Sequence, residues 1–280
     1  MRERLSKPFS KKARALITRH NLEKFSVVMP VHNEQDNLLY SLLGLFAIEP
    51  DEIIIVLDRC SDKSRAIIET SSEKLGYRGD IKLIEVSEDF PEWRYRVAWL
   101  FRIGFSEARN DTILTMAADI VLDNRIRDYV QTIQSSNVKL VSFGLKYYPV
   151  DMIYFVKRLV TLVFPGRGFS GVFLFSKKAW METEDEERVR KIVKAQDTFL
   201  SDSIKKKYST RHVWLNVVHL RARRDVKDQY LRGVTVYQIS RKSLPSAFVS
   251  SVLYLRPMML VGYMHARERA RKRPDTTRAG

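Results

Sequence analysis

Three acidic residues each follow an apolar run of the kind that forms a buried strand. They are Glu34 in Pro30-Val-His-Asn-Glu34, Asp58 in Leu57-Asp-Arg-Cys-Ser-Asp62 and Asp119 in Ala117-Ala-Asp-Ile-Val-Leu-Asp123. Suitable strand order brings all three carboxylates to one edge of a sheet. A nucleotide can use such a set. One carboxylate accepts from a base N–H, a second accepts from the ribose, and a third holds a divalent cation against a diphosphate. An acid after a strand also serves simply as a helix cap. That reading suits any one of the positions and suits three with these neighbours much less.

The elements that must position these acids alternate between strand and helix. Residues 25–30 form a β-branched run stopped by proline, and residues 33–46 place Leu38, Leu39, Leu42, Leu43 and Phe46 at helical spacing. Asn33 is the expected cap of that helix, with Glu34 and Asp36 in its first turn. Residues 52–57 read as a buried parallel strand. Ser61 or Asp62 caps a second helix to about residue 75. Residues 81–86 read as a third strand, 92–108 as a third helix, and 112–117 as a fourth strand that ends at Asp119. This alternation implies a doubly wound, mostly parallel sheet with right-handed crossovers, whose ligands bind beyond the carboxyl ends of the strands.

The second half is less regular. Strands are expected at 138–143, 172–176 and 213–220, and helices at 152–164, 184–194 and 197–207. Pro165-Gly-Arg-Gly168 reads as a loop. From about Gln229 the chain reads as helical up to a basic tail. No internal repeat is present.

Bulk properties narrow the classes. With 280 residues and 45% hydrophobic content the chain can build one large core. Cys60 stands alone, which excludes an intramolecular disulfide framework and a cysteine-rich zinc site. No uninterrupted apolar run reaches ~18 residues, so a simple membrane span is not expected. The basic N-terminus lacks the apolar stretch of a secretory signal. The net charge of +16 is concentrated at the ends: residues 1–24 carry +6 and residues 265–280 carry +4. Such an excess suits contact with nucleic acid or an anionic membrane, or belongs to solvated, frayed termini.

The motifs together resemble a family 2 glycosyltransferase with the GT-A fold. Val27-Val-Met-Pro-Val-His-Asn-Glu34 resembles the family's first strand and its Asn-Glu turn. Asp58-Arg-Cys-Ser-Asp-Lys-Ser64 resembles the second-strand motif written DDGSxDxT. Val97-Ala-Trp-Leu-Phe-Arg-Ile-Gly104, with Ala108-Arg-Asn-Asp111, resembles the helix before the metal strand. Ala118-Asp119 falls where a DxD motif belongs. Phe169-Ser-Gly-Val-Phe-Leu-Phe-Ser176 resembles the glycine-containing strand beside the acceptor, and Gln196-Asp197 falls at the family's acid pair. Each motif is weak alone; six in order over residues 25–220 are strong.

The resemblance implies inverting transfer of a sugar from a nucleotide-diphosphate donor. Asp197 is the implied base, with a helix cap as its plain structural role. Pro30, His32, Glu34, Asp58, Arg96, Asp119 and Arg221 are the implied nucleotide-sugar contacts. The first acid of DxD is replaced by Ala117, leaving Asp119 as the metal carboxylate, with Mg2+ or Mn2+ as the implied cation. Asp123 lies four residues further along. His219 is the candidate second metal ligand, because some metal-dependent relatives place a histidine late in the domain; a packed imidazole is its structural alternative. Gln196 replaces the more usual Glu beside the base, and Arg102 stands where many relatives have Asn. Arg221, Arg223 and Arg224 can pair with diphosphate oxygens or form a basic strand edge. Asp58 suits uracil N3 and guanine N1 alike, so the donor base stays open.

The expected organisation is a basic segment over 1–24, a catalytic domain over 25–222, and a C-terminal helical extension over 223–280. The acceptor is expected to be lipid-linked or a saccharide, and the location cytoplasmic and peripheral on a membrane. Two other classes remain: a degenerate GT-A-fold binding protein, which Ala117 favours, and a basic nucleic-acid-binding protein, for which no recognition motif is present. Residues 247–264 carry one charge, Arg256, followed by Pro257. A spanning helix would bury that arginine at a cost of about 2.5–3.5 kcal/mol, and the proline would interrupt it. Two short interfacial helices are therefore expected. A helix packed on the catalytic domain, or an oligomer contact, is the alternative.

Overall fold

A computed structural model of the chain describes residues 24–147, 155, 158–159, 171–192, 196–220, 226–238, 242–253 and 256–272. The strands are β1 (Ser26–Val31), β2 (Glu52–Asp58), β3 (Asp80–Val86), β4 (Thr112–Thr115), β5 (Ile120–Val121), β6 (Val138–Tyr147), β7 (Val172–Ser176) and β8 (Ser209–His219). They form one sheet in the order β3-β2-β1-β4-β7-β6-β8-β5. The first four strands pair in parallel. β7 turns antiparallel against β4 and β6, and β6 again pairs in parallel with β8. The two-residue β5 closes the far edge against β8.

Both faces of the sheet are covered, as a parallel sheet requires. All seven residues of β2 are buried, which explains its unbroken apolar run. Alternate residues still choose opposite faces, since side chains reverse at every step. Val27, Met29, Val31, Ile53, Ile55 and Leu57 pack into one core with α1 (Leu38–Ala47) and Ile68 of α2 (Ser64–Lys74). Val28, Ile54 and Val56 pack into the other with α3 (Arg96–Glu107). A Cβ on Gly104 would lie 2.2 Å from Cγ1 of Val28; the missing side chain lets α3 lie close on β1. β3, the sheet's other edge, alternates exposed and half-buried residues and carries Asp80, Lys82 and Glu85, charges that keep an edge strand from pairing with another chain.

The remaining helices are α4 (Val130–Ser135), α5 (Lys177–Thr183), α6 (Glu186–Arg190), α7 (Gln196–Lys205), α8 (Val226–Gln238), α9 (Leu244–Leu253) and α10 (Pro257–Lys272). α8 and α10 touch backbone to backbone. A Cβ on Gly233 would lie 1.9 Å from the carbonyl oxygen of Met259, and one on Gly262 2.0 Å from that of Tyr230. As expected, the chain breaks between α9 and α10 at Arg256, and Pro257 opens α10, where its lost N–H needs no partner. Among the described residues no helix is long and apolar enough to cross a membrane.

Several boundaries differ from expectation. Asn33 does not cap α1, which starts at Leu38 after Asn37. Its backbone is left-handed, with φ 50°, and its side chain bonds elsewhere. The third helix starts at Arg96 rather than residue 92. The helix expected over 184–194 shrinks to α6, because Glu184 ends α5 and turns inward to an arginine. Asp197 is no N-cap, since α7 already begins at Gln196 and places Asp197 in its first turn. The helix expected over 152–164 and the loop at 165–168 lie outside the described residues, apart from positions 155, 158 and 159. The basic segment 1–23 and the tail 273–280 also lie outside them.

Candidate active site

Because β2, β1 and β4 are adjacent and parallel, their carboxyl ends share one edge. Glu34, Asp58 and Asp119 follow those ends, as the sequence pattern implied. The loops after β1 and β2 are tied together there. Nδ1 of His32 donates to the carbonyl of Asp58 at 2.6 Å. The acceptor can only accept, so the proton sits on Nδ1. Oδ1 of Asn33 accepts from the N–H of Ser61 at 2.8 Å, and the N–H of Glu34 donates to Oγ of Ser64 at 2.9 Å. Asp62, rather than Ser61, serves the start of α2: its carboxylate accepts from the N–H groups of Ser64 and Gln35. Burial pulls its pKa upward, but the hydrogen bonds from Ser64 and Gln35 together outweigh it and hold the group below the usual carboxylate range. Arg59 is left-handed at φ 47°, an uncommon conformation for a bulky residue. The pattern Asn33, Arg59 thus marks two sharp exits at the same edge.

Asp58 is buried and committed to arginine. Nε of Arg96 donates to its Oδ1 at 2.7 Å, and Nη2 lies 2.6 Å away. Nε of Arg59 approaches the same oxygen at 3.2 Å. Arg96 is itself anchored by donating to the carbonyl of Glu88 at 2.8 Å. A buried carboxylate needs such a partner. The pairing fixes the orientation of Asp58, so Arg96 reaches this edge through Asp58.

Asp119 and His219 come together from different halves of the chain. β5 pairs Ile120 with His219, and the N–H of Leu220 donates to the carbonyl of Asp119 at 2.8 Å. That register sets Nε2 of His219 3.7 Å from Oδ2 of Asp119, with both side chains buried. The imidazole lies beside Tyr147, ring centroids 5.1 Å apart. Two ligands that each reach about 2.0–2.2 Å can share one ion across such a gap. The pair therefore fits two positions in the ligand set of a divalent cation. The imidazole also suits a first-row transition ion better than Mg2+, which prefers oxygen. Among the described residues no group of three or more His, Cys, Asp or Glu is gathered to hold a metal, so remaining ligands would come from water and diphosphate.

Asp123 is not a further ligand. Its carboxylate accepts from the N–H, Nε and Nη2 of Arg125 at 3.0, 3.0 and 2.7 Å, and from the N–H of Asn216 at 2.9 Å. The hydrogen bonds from Arg125 hold its pKa down at about 2, against the opposing effect of burial. Asn216 lies in an irregular stretch of β8, where the pairing jumps from Gly144–Trp214 to Leu145–Val217. Asp123 clamps that bulge three residues before His219. Nothing in the sequence spacing announces this contact.

Asp197 lines a cavity of about 50 Å3 between α3 and α7. Phe101, Phe105, Phe173 and Trp180 form its apolar walls, and Thr115 and Gly171 mark where β4 ends and β7 begins. Because β7 runs antiparallel to β4 with Thr115 opposite Phe173, the cavity reaches the carboxyl end of β4. Glu184, half-buried in its wall, pairs with Arg102, which also bonds Glu186 at 2.6 Å and lies over the Trp180 ring. Burial pushes the pKa of Glu184 up, and Arg102 opposes the shift. Arg102 is thus a structural cation of the α3–α5–α6 contact. Gln196 opens α7 beside Asp197. Arg221, Arg223 and Arg224 lie outside the described residues.

Residues 26–183 match the sequence family described as glycosyl transferase family 2. No curated protein matches the chain. Solved structures share the fold. A mannosyltransferase from Pyrobaculum calidifontis, in complex with GDP-Man and Mn2+, is 14% identical with a TM-score of 0.54, over 86% of this chain and 70% of that one. Glucosyl-3-phosphoglycerate synthase from Mycobacterium tuberculosis, in complex with Mn2+, UDP-Glc and phosphoglyceric acid, is 15% identical with a TM-score of 0.53, over 84% and 85%. S. aureus TarS 1-349 in complex with UDP is 14% identical with a TM-score of 0.51, over 77% and 66%, so this chain spans just under two thirds of it. The fold is that of GT-A glycosyltransferases, and with the family match covering more than half its length, the chain belongs to glycosyl transferase family 2.

Proposed function

We propose that this protein transfers a sugar from a UDP- or GDP-sugar to an acceptor hydroxyl or lipid phosphate, with inversion, at an anionic membrane surface on the cytoplasmic side. The observation that carries the reading is the approach of His219 to Asp119, 3.7 Å apart, at the edge where β1, β2 and β4 end. Acids alone at that edge would repel a diphosphate. A divalent cation held by Asp119 and His219 would supply charge stabilisation of the leaving nucleoside diphosphate. The mannosyltransferase and the synthase above hold Mn2+ with their donors, which supports that choice of ion.

The chain's own residues do the rest. The tied loops that carry Pro30, His32, Glu34 and Asp58 receive the nucleoside, and Asp58, fixed by Arg96, accepts from the base N–H. The acceptor oxygen attacks the anomeric carbon, the bond from that carbon to the phosphate oxygen breaks, and the acceptor proton passes to Asp197. Arg221 pairs with the diphosphate. Attack opposite the departing phosphate inverts the anomeric centre. The basic ends of the chain, +10 of the net +16, support a lipid-linked acceptor or a saccharide presented on lipid.

A second reading, a GT-A-fold binding protein without turnover, is favoured by Ala117 in place of the first DxD acid. One assay separates the two: release of nucleoside diphosphate from a panel of UDP- and GDP-sugars with Mn2+ and with Mg2+. Release from one donor supports transfer; tight donor binding without release from any of them supports the second reading.

A further inference from the structure

α9 is inside out. Its large apolar residues Phe248, Val249 and Val252 are 53, 44 and 55% exposed, and exposed Pro245 completes the stripe at helical spacing. On the opposite side, turned to the protein, Ala247 and Ser251 are buried and Leu244 is half-buried. A surface helix of a globular domain does the reverse. The helix is also held in this orientation. The hydroxyl of Tyr263 in α10 donates to the carbonyl of Lys242 ahead of α9, at 2.9 Å. At the other end the hydroxyl of Ser251 donates to the carbonyl of Arg256, at 2.7 Å. α10 buries Met259, Gly262, Tyr263 and Ala266 against its neighbours and leaves Val261 and Met264 exposed.

The charges around this surface are of one sign. Residues 242–272 hold six Lys and Arg and a single acid, Glu268, which pairs with Lys272 at 2.6 Å. No acid occurs from 243 to 267. Arg269, Arg271 and Lys272 are exposed at the end of α10. An apolar stripe beside a basic flank matches the acyl boundary and the anionic headgroups of a bilayer. A second copy of this chain would bring the same positive flank against itself, and its +16 opposes that encounter.

We infer that the outward face of α9, with Val261 and Met264 of α10, inserts into the interfacial region of an anionic membrane. Phe248, Val249 and Val252 enter the acyl boundary, and the basic end of α10 sits among the headgroups. This deepens the membrane-surface reading above and rests on it: it assigns the contact to one helix face rather than to the charged termini.

The test uses full-length protein and vesicles of phosphatidylcholine, with and without phosphatidylglycerol. Wild type floats with the anionic vesicles. Phe248→Ser/Val249→Ser/Val252→Ser alters only exposed side chains and keeps both charged ends; it lowers the partition coefficient at least about tenfold. Tryptophan placed by Phe248→Trp is quenched by lipids brominated on the acyl chain. A triple variant that floats like wild type, with no quenching of Phe248→Trp, overturns this inference while the membrane-surface reading survives on the termini. Wild type that ignores both vesicle types overturns the membrane-surface reading as well. A lipid-free dimer that the triple substitution dissociates identifies a second copy as the occupant and overturns the inference in a third way.

Discussion

Nε2 of His219 stands 3.7 Å from Oδ2 of Asp119, although the two residues lie 100 positions apart in the sequence. The contact depends on the two-residue strand β5, which pairs Ile120 with His219. In the proposed function it puts an imidazole beside the metal carboxylate. Mn2+ is therefore expected to support more turnover than Mg2+, because an imidazole ligand suits the transition ion. His219→Ala should weaken activation by Mn2+ at least about tenfold and bring the two ions closer together. Metal titrations of nucleotide release check this; an unchanged Mn2+ requirement in the variant counts against the assignment.

Asp119→Ala should nearly abolish transfer while the protein keeps its fold. Loss of a stabiliser of developing charge costs roughly 3 kcal/mol or more in the barrier. Turnover measured beside the circular dichroism melt tests this directly. Near-normal turnover would remove Asp119 from the mechanism.

Asp197→Asn should lower turnover by about 10²–10⁴-fold with little change in donor affinity. Asp197 lines the cavity between α3 and α7, and neither Asp58 nor Arg96, proposed for the nucleoside, is in that lining. Donor binding by calorimetry and turnover of the same variant decide it. Equal losses in both would make Asp197 a structural residue of the first turn of α7.

Asp123 couples stability to the site. Its carboxyl is held at about 2 by Arg125, below its ordinary value, so its contribution is full above about pH 4 and is lost as pH falls towards 2. Asp123→Ala should destabilise the fold by roughly 2 kcal/mol at neutral pH and weaken Mn2+ activation, because the β8 bulge at Asn216 loses its clamp. Urea unfolding and the metal titration check the two halves. A destabilised variant with a normal Mn2+ response would confine Asp123 to the scaffold.

His212 makes a second pH prediction. Its Nδ1 lies 2.8 Å from Oγ of Ser142, and burial, helped by Lys205, pushes its pKa down to about 4. The folded state thus prefers the neutral ring. Stability is full above the ordinary histidine value near 6.5 and falls as pH drops from there to about 4. Melting temperatures across that range should decline in wild type, and His212→Gln should flatten the decline. An equal slope in both proteins would assign it to other groups.

Much of this was legible from residues in a row. The run Ile53–Leu57 announced a buried strand, and Glu34, Asp58 and Asp119 after the first, second and fourth strands announced a shared edge. Arg256-Pro257 announced the break between α9 and α10. What depended on contact across the chain was not legible. Asn33 follows a strand and precedes a helix, as a cap would, yet its left-handed backbone turns its side chain to Ser61. Glu184 reads as the start of a helix until Arg102 draws it inward. β5 is too short to show a period. The role of Asp123 as a clamp was hidden because spacing cannot reveal Asn216 beside it. The apolar residues of α9 read equally as core or interface until their exposure was known.

The account rests on a cation shared by Asp119 and His219, and pulsed electron paramagnetic resonance of Mn2+ bound with UDP or GDP tests that most directly. Nitrogen modulation from a coordinated imidazole is expected in the wild-type complex, and it should vanish in His219→Ala. Bound Mn2+ without nitrogen modulation, or modulation that persists in His219→Ala, would contradict the account.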